Sequence, residues 1–407
     1  IIAGIYSLPN AREIGNVGVK TVVYYCCTTA FAVAIGITSV LIISPGTKEA
    51  SLRIREDRQA VLAEYRAEFE ADTGQIYNDP AAYPEYRAFV AQQEGEGIGQ
   101  TGFQGGYARI QATQDRTIGD MLKDELLLPI LANPFNALAQ SPPNSLGIIF
   151  FAILVGLACV IIGEPARGVG QFFVSFSEVM MKITLWIMEL APYSIGCIIA
   201  SLVATLGYDA LQSLAWYCAA VIIGIGAHIC ILLVLVATFG KMNPFTFLKG
   251  IRNPWIIAFT TTSSAATLPV TILTTQENLK VSPKVSRFTL PVGATINMDG
   301  TALYEGVAVI FLIQLFGGLD DVPIVMTVGK TLVIFVTAVF ASIGAAAVPS
   351  AGLVTMAIVA SAVGLPLYYI FLIYAVDHLL DMFRTSTNVM GDMAGAVIVN
   401  RLESGKL

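Results

Sequence analysis

Charge is what this sequence has least of. Only 13% of its 407 residues are Asp, Glu, Lys or Arg, against 55% hydrophobic residues, where a soluble domain carries about 25% charge. That balance excludes an ordinary water-soluble enzyme. Metal-ligating spacing is missing too. The six cysteines, Cys26, Cys27, Cys159, Cys197, Cys218 and Cys230, all lie in apolar stretches with no CxxC pair and no neighbouring histidine. Neither a zinc site nor a disulfide framework follows from such spacing, and the cysteines read as small packing residues. The outer acidic stretch lacks an Asn-x-Ser/Thr acceptor, so N-glycosylation is not expected there. No nucleic-acid partner and no organic cofactor are expected.

Long apolar runs are what the chain does have. A hydrocarbon core of about 30 Å takes roughly 20 apolar residues of helix, and residues 17–43, 145–162, 172–202 and 211–239 meet that length, with a break near Pro192. The net charge of −6 has a local origin. Residues 45–125 hold 9 Lys+Arg and 15 Asp+Glu, which leaves 14 of each sign elsewhere. Residues 56–69 suit a charged helix and 94–106 are Gly-rich, so the segment reads mainly as a solvated loop.

Sidedness follows from the basic residues. Arg12 and Lys20 place the first end in the cytoplasm, and the acidic segment then lies outside. Lys241, Lys249 and Arg252 fall inside, as do Lys280, Lys284 and Arg287, so the chain between these clusters must enter and leave by one face. Asp320 and Asp321 fall outside and Arg401 and Lys406 inside, which calls for a second hairpin over 325–364 entering from outside. The two hairpins share a signature: Ala265-Ala266-Thr267-Leu268-Pro269 recurs 80 residues later as Ala345-Ala346-Ala347-Val348-Pro349. Hairpins from opposite faces are the arrangement of an inverted repeat, which places substrate and ions at the midplane between broken helices. Their tips would offer free backbone N–H groups to an anion.

Polar residues collect in the last apolar segment. Asp377, Asp381, Arg384, Thr385, Asn388 and Asp392 are separated by 4, 3, 1, 3 and 4 residues, one stripe of one helix. A charge at bilayer depth costs about 2.5 kcal/mol or more. Pairing of Asp381 with Arg384 would neutralise two of these charges and leave Asp377, Asn388 and Asp392 without a purpose. A site for a zwitterion with a second acid group accounts for more of them. Arg384 would fork onto the side-chain carboxylate, Asp381 would accept from the α-ammonium, and Thr385 and Asn388 would hold the α-carboxylate. In Gly293-Ala294-Thr295-Ile296-Asn297-Met298-Asp299-Gly300-Thr301 the two polar positions 297 and 299 would face different sides of a regular helix. The flanking glycines predict an unwound turn whose oxygens suit a hard cation, sodium rather than a divalent ion. Glu305, one turn on, is a candidate proton carrier or a glutamate satisfied near an interface. His228 reads as a core residue and His378 as packing beside the stripe.

These segments together resemble the glutamate transporter family, the excitatory amino-acid carriers and their prokaryotic relatives. "SSAATLP", "LPVGATINMDGTALYE", "ASIGAAAVPSAGLVTM" and "DMFRTSTNVMGD" carry the resemblance in order and spacing, which runs over nearly the whole chain except 50–116. It implies an all-α membrane protein with inverted repeats, two re-entrant hairpins and two broken transmembrane helices. Residues 1–44 would hold the end of a second helix and the third, 45–125 the acidic extracellular insertion, 126–207 scaffold-type helices four and five, and 208–407 the transport core. Implied substrate contacts are Ser264, Thr301, Val348, Gly352, Asp381, Arg384, Thr385 and Asn388. Implied sodium sites are Gly293, Asn297, Asn388 and Asp392; Tyr25, Thr28, Thr29, Asn297 and Asp299; and Thr295, Met298, Ser342, Ile343 and Ala345. Glu305 would carry the proton.

The function so implied is sodium- and proton-coupled symport of glutamate or aspartate by a multi-pass plasma-membrane homotrimer. Neutral amino-acid or dicarboxylate transport, or a substrate-gated anion conductance, are the alternatives. Arg384 argues against the neutral branch. An intramembrane aspartyl protease is disfavoured, because an arginine on the same helix would keep the aspartates ionised. Two departures stand out. Family members carry a further arginine where this chain has Thr262 or Met382, which bears on potassium coupling. The family also begins with two membrane helices, and this chain starts near the end of the second, so a longer product is expected.

Overall fold

The computed structural model describes residues 2–6, 11–77, 83–93, 128, 133–139, 145–188, 191–319, 322, 324–343, 345 and 349–403. Among these residues every regular element is helical, apart from one isolated bridge between Leu319 and Val322. The α-helices, in chain order, are α1 (Ile2–Tyr6), α2 (Ala11–Ile43), α3 (Glu49–Thr73), α4 (Tyr83–Gln93), α5 (Pro134–Ala139), α6 (Ser145–Ile162), α7 (Arg167–Met188), α8 (Ala191–Thr238), α9 (Pro244–Thr261) and α10 (Ser264–Glu277). They continue with α11 (Pro283–Ile296), α12 (Asp299–Phe316), α13 (Val328–Ile343), α14 (Ala351–Ala362) and α15 (Ile370–Glu403).

Three stretches, Val17–Thr47, Tyr208–Thr238 and Pro283–Phe316, are long and apolar enough to cross a membrane. The third is almost wholly buried within the protein, because α12 packs on α2, α8, α13, α14 and α15 at once. The outer faces stay apolar: Val19, Val23 and Ile42 on α2, and Phe172 and Trp186 on α7, are more than half exposed. Lipid is the solvent such faces need. The same outward orientation corrects the reading of the cysteines. All six are free thiols, and Cys26, Cys27, Cys197 and Cys230 are exposed, because helices in lipid can direct small apolar side chains outward as well as into the core.

Capping explains where several helices begin. Asn243 accepts from the Phe245 N–H at 2.8 Å and Ser263 from the Ala266 N–H at 3.2 Å, with Pro244 opening α9. Ser282 and Pro283 start α11 in the same way. Thr262 lies in the left-handed region with φ 49°, so α9 reverses into α10 across two residues, and the two helices pack together. Helices α13 and α14 form a second packed pair. Residues 346–348 of their connection, and therefore Val348, lie outside the described residues.

Two expectations change here. The spans at 172–202 and 211–239 are not separated, because α8 runs unbroken from Ala191 to Thr238. Gly207 alone does not end a helix when no proline follows it. Within the acidic segment, the charged helix expected over 56–69 is present and longer, and it is packed rather than solvated. Helix α3 covers 25 residues and packs on α8 and α12. Ser51 Oγ lies 2.7 Å from Ser213 Oγ, and Arg53 pairs with Asp209 at 3.6 Å. Arg58 Nε donates to the Tyr369 hydroxyl at 3.1 Å, just ahead of α15. Residues 94–106 lie outside the described residues.

Candidate functional site

Helix α15 puts the predicted stripe on one face. It is continuous for 34 residues, and Asp377, Asp381, Arg384, Thr385, Asn388 and Asp392 are all buried along it. His378, one residue off the stripe, turns outward and is exposed, since a step of one residue rotates about 100° around the axis.

Arg384 anchors one end of the site. Its guanidinium is 1% exposed. Nη1 donates to Asp377 Oδ1 at 3.1 Å, Nε donates to Asp381 Oδ1 at 3.2 Å, and Nη2 lies 2.8 Å from that same oxygen. The Tyr304 ring sits 4.1 Å from the guanidinium carbon, and the Tyr304 hydroxyl donates to Asp377 Oδ1 at 2.8 Å. The spacing alone gives Asp377 no partner and Tyr304 no task, yet the two hold Arg384 together with Asp381. Gly352 of α14 faces the guanidinium so closely that a Cβ there would meet it. Asp381 itself is fully engaged. Its Oδ1 also accepts from Thr385 Oγ1 at 3.1 Å, and its Oδ2 accepts from the Ser350 N–H at 2.7 Å. Thus the turn before α14 is tied to the stripe through a backbone donor. Ser264 is the buried first residue of α10, which packs on α15.

The unwound turn predicted from sequence is present. Helix α11 ends at Ile296, Asn297 and Met298 take non-helical backbone angles, and α12 begins at Asp299. Asn388 secures the restart: its Oδ1 accepts from the Gly300 N–H at 2.8 Å and its Nδ2 donates to Thr301 Oγ1 at 3.2 Å. Only glycine fits at 300, because a Cβ would stand 2.7 Å from the Arg384 carbonyl oxygen. This close approach, with the two Asn388 bonds, joins the Arg384 end of the site to the break.

Around the break the oxygens converge. Asn297 Nδ2 donates to Asp392 Oδ1 at 3.0 Å, while Asn297 Oδ1 accepts from Thr28 Oγ1 at 3.1 Å. Thr29 Oγ1 donates to Asp299 Oδ1 at 2.7 Å, and the Tyr25 hydroxyl donates to the Thr289 carbonyl at 2.9 Å. Gly293 faces both the Asp392 carboxylate and the Tyr25 hydroxyl. The structure therefore brings together Tyr25, Thr28, Thr29, Gly293, Asn297, Asp299, Asn388 and Asp392. A further member, His228 on α8, which the sequence presents as a core residue, places Nε2 3.0 Å from Asp299 Oδ2. No local pattern links residues 71 positions apart.

The third implied set is less connected. Thr295 and Met298 sit at the break, and Ser342, Ile343 and Ala345 at the end of α13, which packs on α11. Thr295 and Ser342 spend their hydroxyls on carbonyls of their own helices, Val292 and Val339. Among the described residues no hydrogen bond joins the two groups. Glu305 is fully buried on α12, and neither carboxylate oxygen has a hydrogen-bond partner among the described residues.

The sequence matches the sodium:dicarboxylate symporter family over residues 1–77 and 89–402, a range that includes every element of this site. An excitatory amino acid transporter of Caenorhabditis elegans is 38% identical over 408 residues, covering 98% of this chain and 76% of that protein. One from Onchocerca volvulus is 37% identical over 98% of this chain and 78% of its own length. Human excitatory amino acid transporter 2 is 36% identical over all of this chain and 70% of its own length. These buried polar and charged groups lie within a helical body, and the chain belongs to the sodium:dicarboxylate symporter family, whose members are transporters rather than enzymes.

Proposed function

We propose that this protein carries glutamate or aspartate across the plasma membrane by symport driven by sodium and a proton. The observation that carries the reading is Arg384, a buried guanidinium that still has N–H hydrogens on both terminal nitrogens after its bonds to Asp377 and Asp381. An acidic side chain of the substrate would take those donors as a bidentate pair. Asp381 would exchange its protein partners for the α-ammonium, with Ser264, Thr301, Thr385, Asn388, Gly352 and Val348 around the remainder.

Sodium is the cargo that suits the break. Asp299, Asp392, Asn297, Thr28, Thr29, Tyr25 and the freed carbonyl groups supply hard oxygens with only two formal charges. Thr295, Met298, Ser342, Ile343 and Ala345 would form a further sodium site. Glu305, fully buried on α12, would carry the proton. In this reading α9–α10 and α13–α14 are re-entrant hairpins from opposite faces, an inverted repeat around the break. Residues 208–407 would form the transport core and 126–207 the scaffold-type helices, the two joined through the continuous helix α8, and three copies would assemble.

Radiolabelled aspartate uptake into proteoliposomes tests this. Uptake is expected to need an inward sodium gradient and to rise at acid external pH; uptake unchanged in choline overturns it. Competition by serine or succinate equal to that of glutamate would favour neutral or dicarboxylate exchange. Substrate-evoked current reversing at the chloride potential would reveal an anion conductance.

A further inference from the structure

Asp299 is held on both oxygens by protein. Oδ1 accepts from Thr29 on α2, and Oδ2 lies 3.0 Å from Nε2 of His228 on α8. His228 is fully buried, and its Nδ1 has no hydrogen-bond partner among the described residues. An ionised carboxylate only accepts hydrogen bonds, so in this pair Nε2 is the donor. Helix α15 closes the remaining side at Gly391, where a Cβ would stand 3.2 Å from Asp299 Oδ2 and 2.9 Å from Asn297 Nδ2.

We propose that His228 is the positioning residue of the cation pocket: it clamps Asp299 Oδ2 and so turns Oδ1, together with Thr29 and the Asn297 amide, toward sodium. The inference rests on the reading of the break as a sodium site. Nε2, the nitrogen that faces Asp299, does not ligate the ion itself, because a ring nitrogen bearing hydrogen offers no lone pair to a cation. Without the clamp, the Asp299 carboxylate keeps only its bond from Thr29 to Oδ1, and the pocket loses the second hold that fixes the carboxylate plane. A second-layer hydrogen bond of this kind typically changes metal affinity by about 10- to 100-fold. A core histidine that merely finds the nearest acceptor would instead affect stability alone.

The substitutions His228→Leu and His228→Gln separate these roles, since the glutamine Nε2 can stand where the imidazole Nε2 stands. In His228→Leu the sodium concentration for half-maximal aspartate uptake is expected to rise by about 10- to 100-fold. In His228→Gln it should stay within roughly threefold of the parent, as expected when the donor is restored. Unchanged sodium dependence in His228→Leu, or equal shifts in both variants, overturns the clamp. Wild-type uptake indifferent to sodium overturns the transport reading and the clamp with it.

Should His228→Leu fail to fold, nitrogen-15 NMR of the wild-type protein in liposomes still decides. The chain has two histidines, and His378→Gln leaves the His228 signal alone. A neutral Nε2–H tautomer whose Nε2 resonance moves when sodium replaces choline supports the clamp. An Nδ1–H tautomer, or a resonance blind to sodium, refutes it.

Discussion

Replacing Arg384 by cysteine is the sharpest test of the substrate site. The side chain donates to Asp377 at 3.1 Å and Asp381 at 3.2 Å and stacks on Tyr304 at 4.1 Å, so its position is fixed before any substrate arrives. Two charge-assisted hydrogen bonds to a substrate carboxylate are worth roughly 1.5–3 kcal/mol each. Part of that is already drawn by the two aspartates, which leaves about 3–4 kcal/mol for the acid group, a factor of roughly 10² to 10³. Serine has no second carboxylate and loses none of it. The expected outcome for Arg384→Cys is therefore a fall of that size in the preference for aspartate over serine. It is read from competition against labelled substrate in proteoliposomes under a fixed sodium gradient. An aspartate-to-serine ratio within about threefold of wild type would refute the assignment, since a lost bidentate pair cannot cost so little. Stability must be followed alongside. Removing the cation leaves Asp377 and Asp381 buried together, a loss on the order of 3–5 kcal/mol. Arg384→Lys keeps the charge without the fork and should fall between the two in selectivity.

Two more outcomes follow from the packing. In Gly300→Ala the new Cβ meets the Arg384 carbonyl oxygen at 2.7 Å and Cα at 3.0 Å. These are backbone atoms that cannot swing aside, so the strain of about 1–3 kcal/mol should pull the restart of α12 off Asn388 and cut sodium-dependent uptake at least roughly tenfold; uptake at the wild-type rate would show that the break tolerates side chains. Arg58→Ala removes the bond to Tyr369 and the ring contacts at 5.6 and 5.9 Å. It should cost about 1–2 kcal/mol, measured as a lower thermal midpoint in detergent, and an unchanged midpoint would mean that α3 is not fastened there.

The residue spacing alone determined much of this protein. Low charge and long apolar runs set the membrane class, and steps of 4, 3, 1, 3 and 4 put the stripe on one face of α15, because 3.6 residues per turn is a property of the backbone itself. Glycines around an Asn-x-Asp group marked the break at 297–298, since local backbone freedom is also written locally. Partnership between distant elements is another matter. That His228 meets Asp299, that Asp377 and Tyr304 brace Arg384, that Asp381 reaches the Ser350 N–H, and that Arg58 ties an outer helix to Tyr369 all depend on how helices pack. Periodicity along one helix says which residues share a face; only the packed bundle decides what that face meets, because interhelical contacts are chosen by the fit of the whole core.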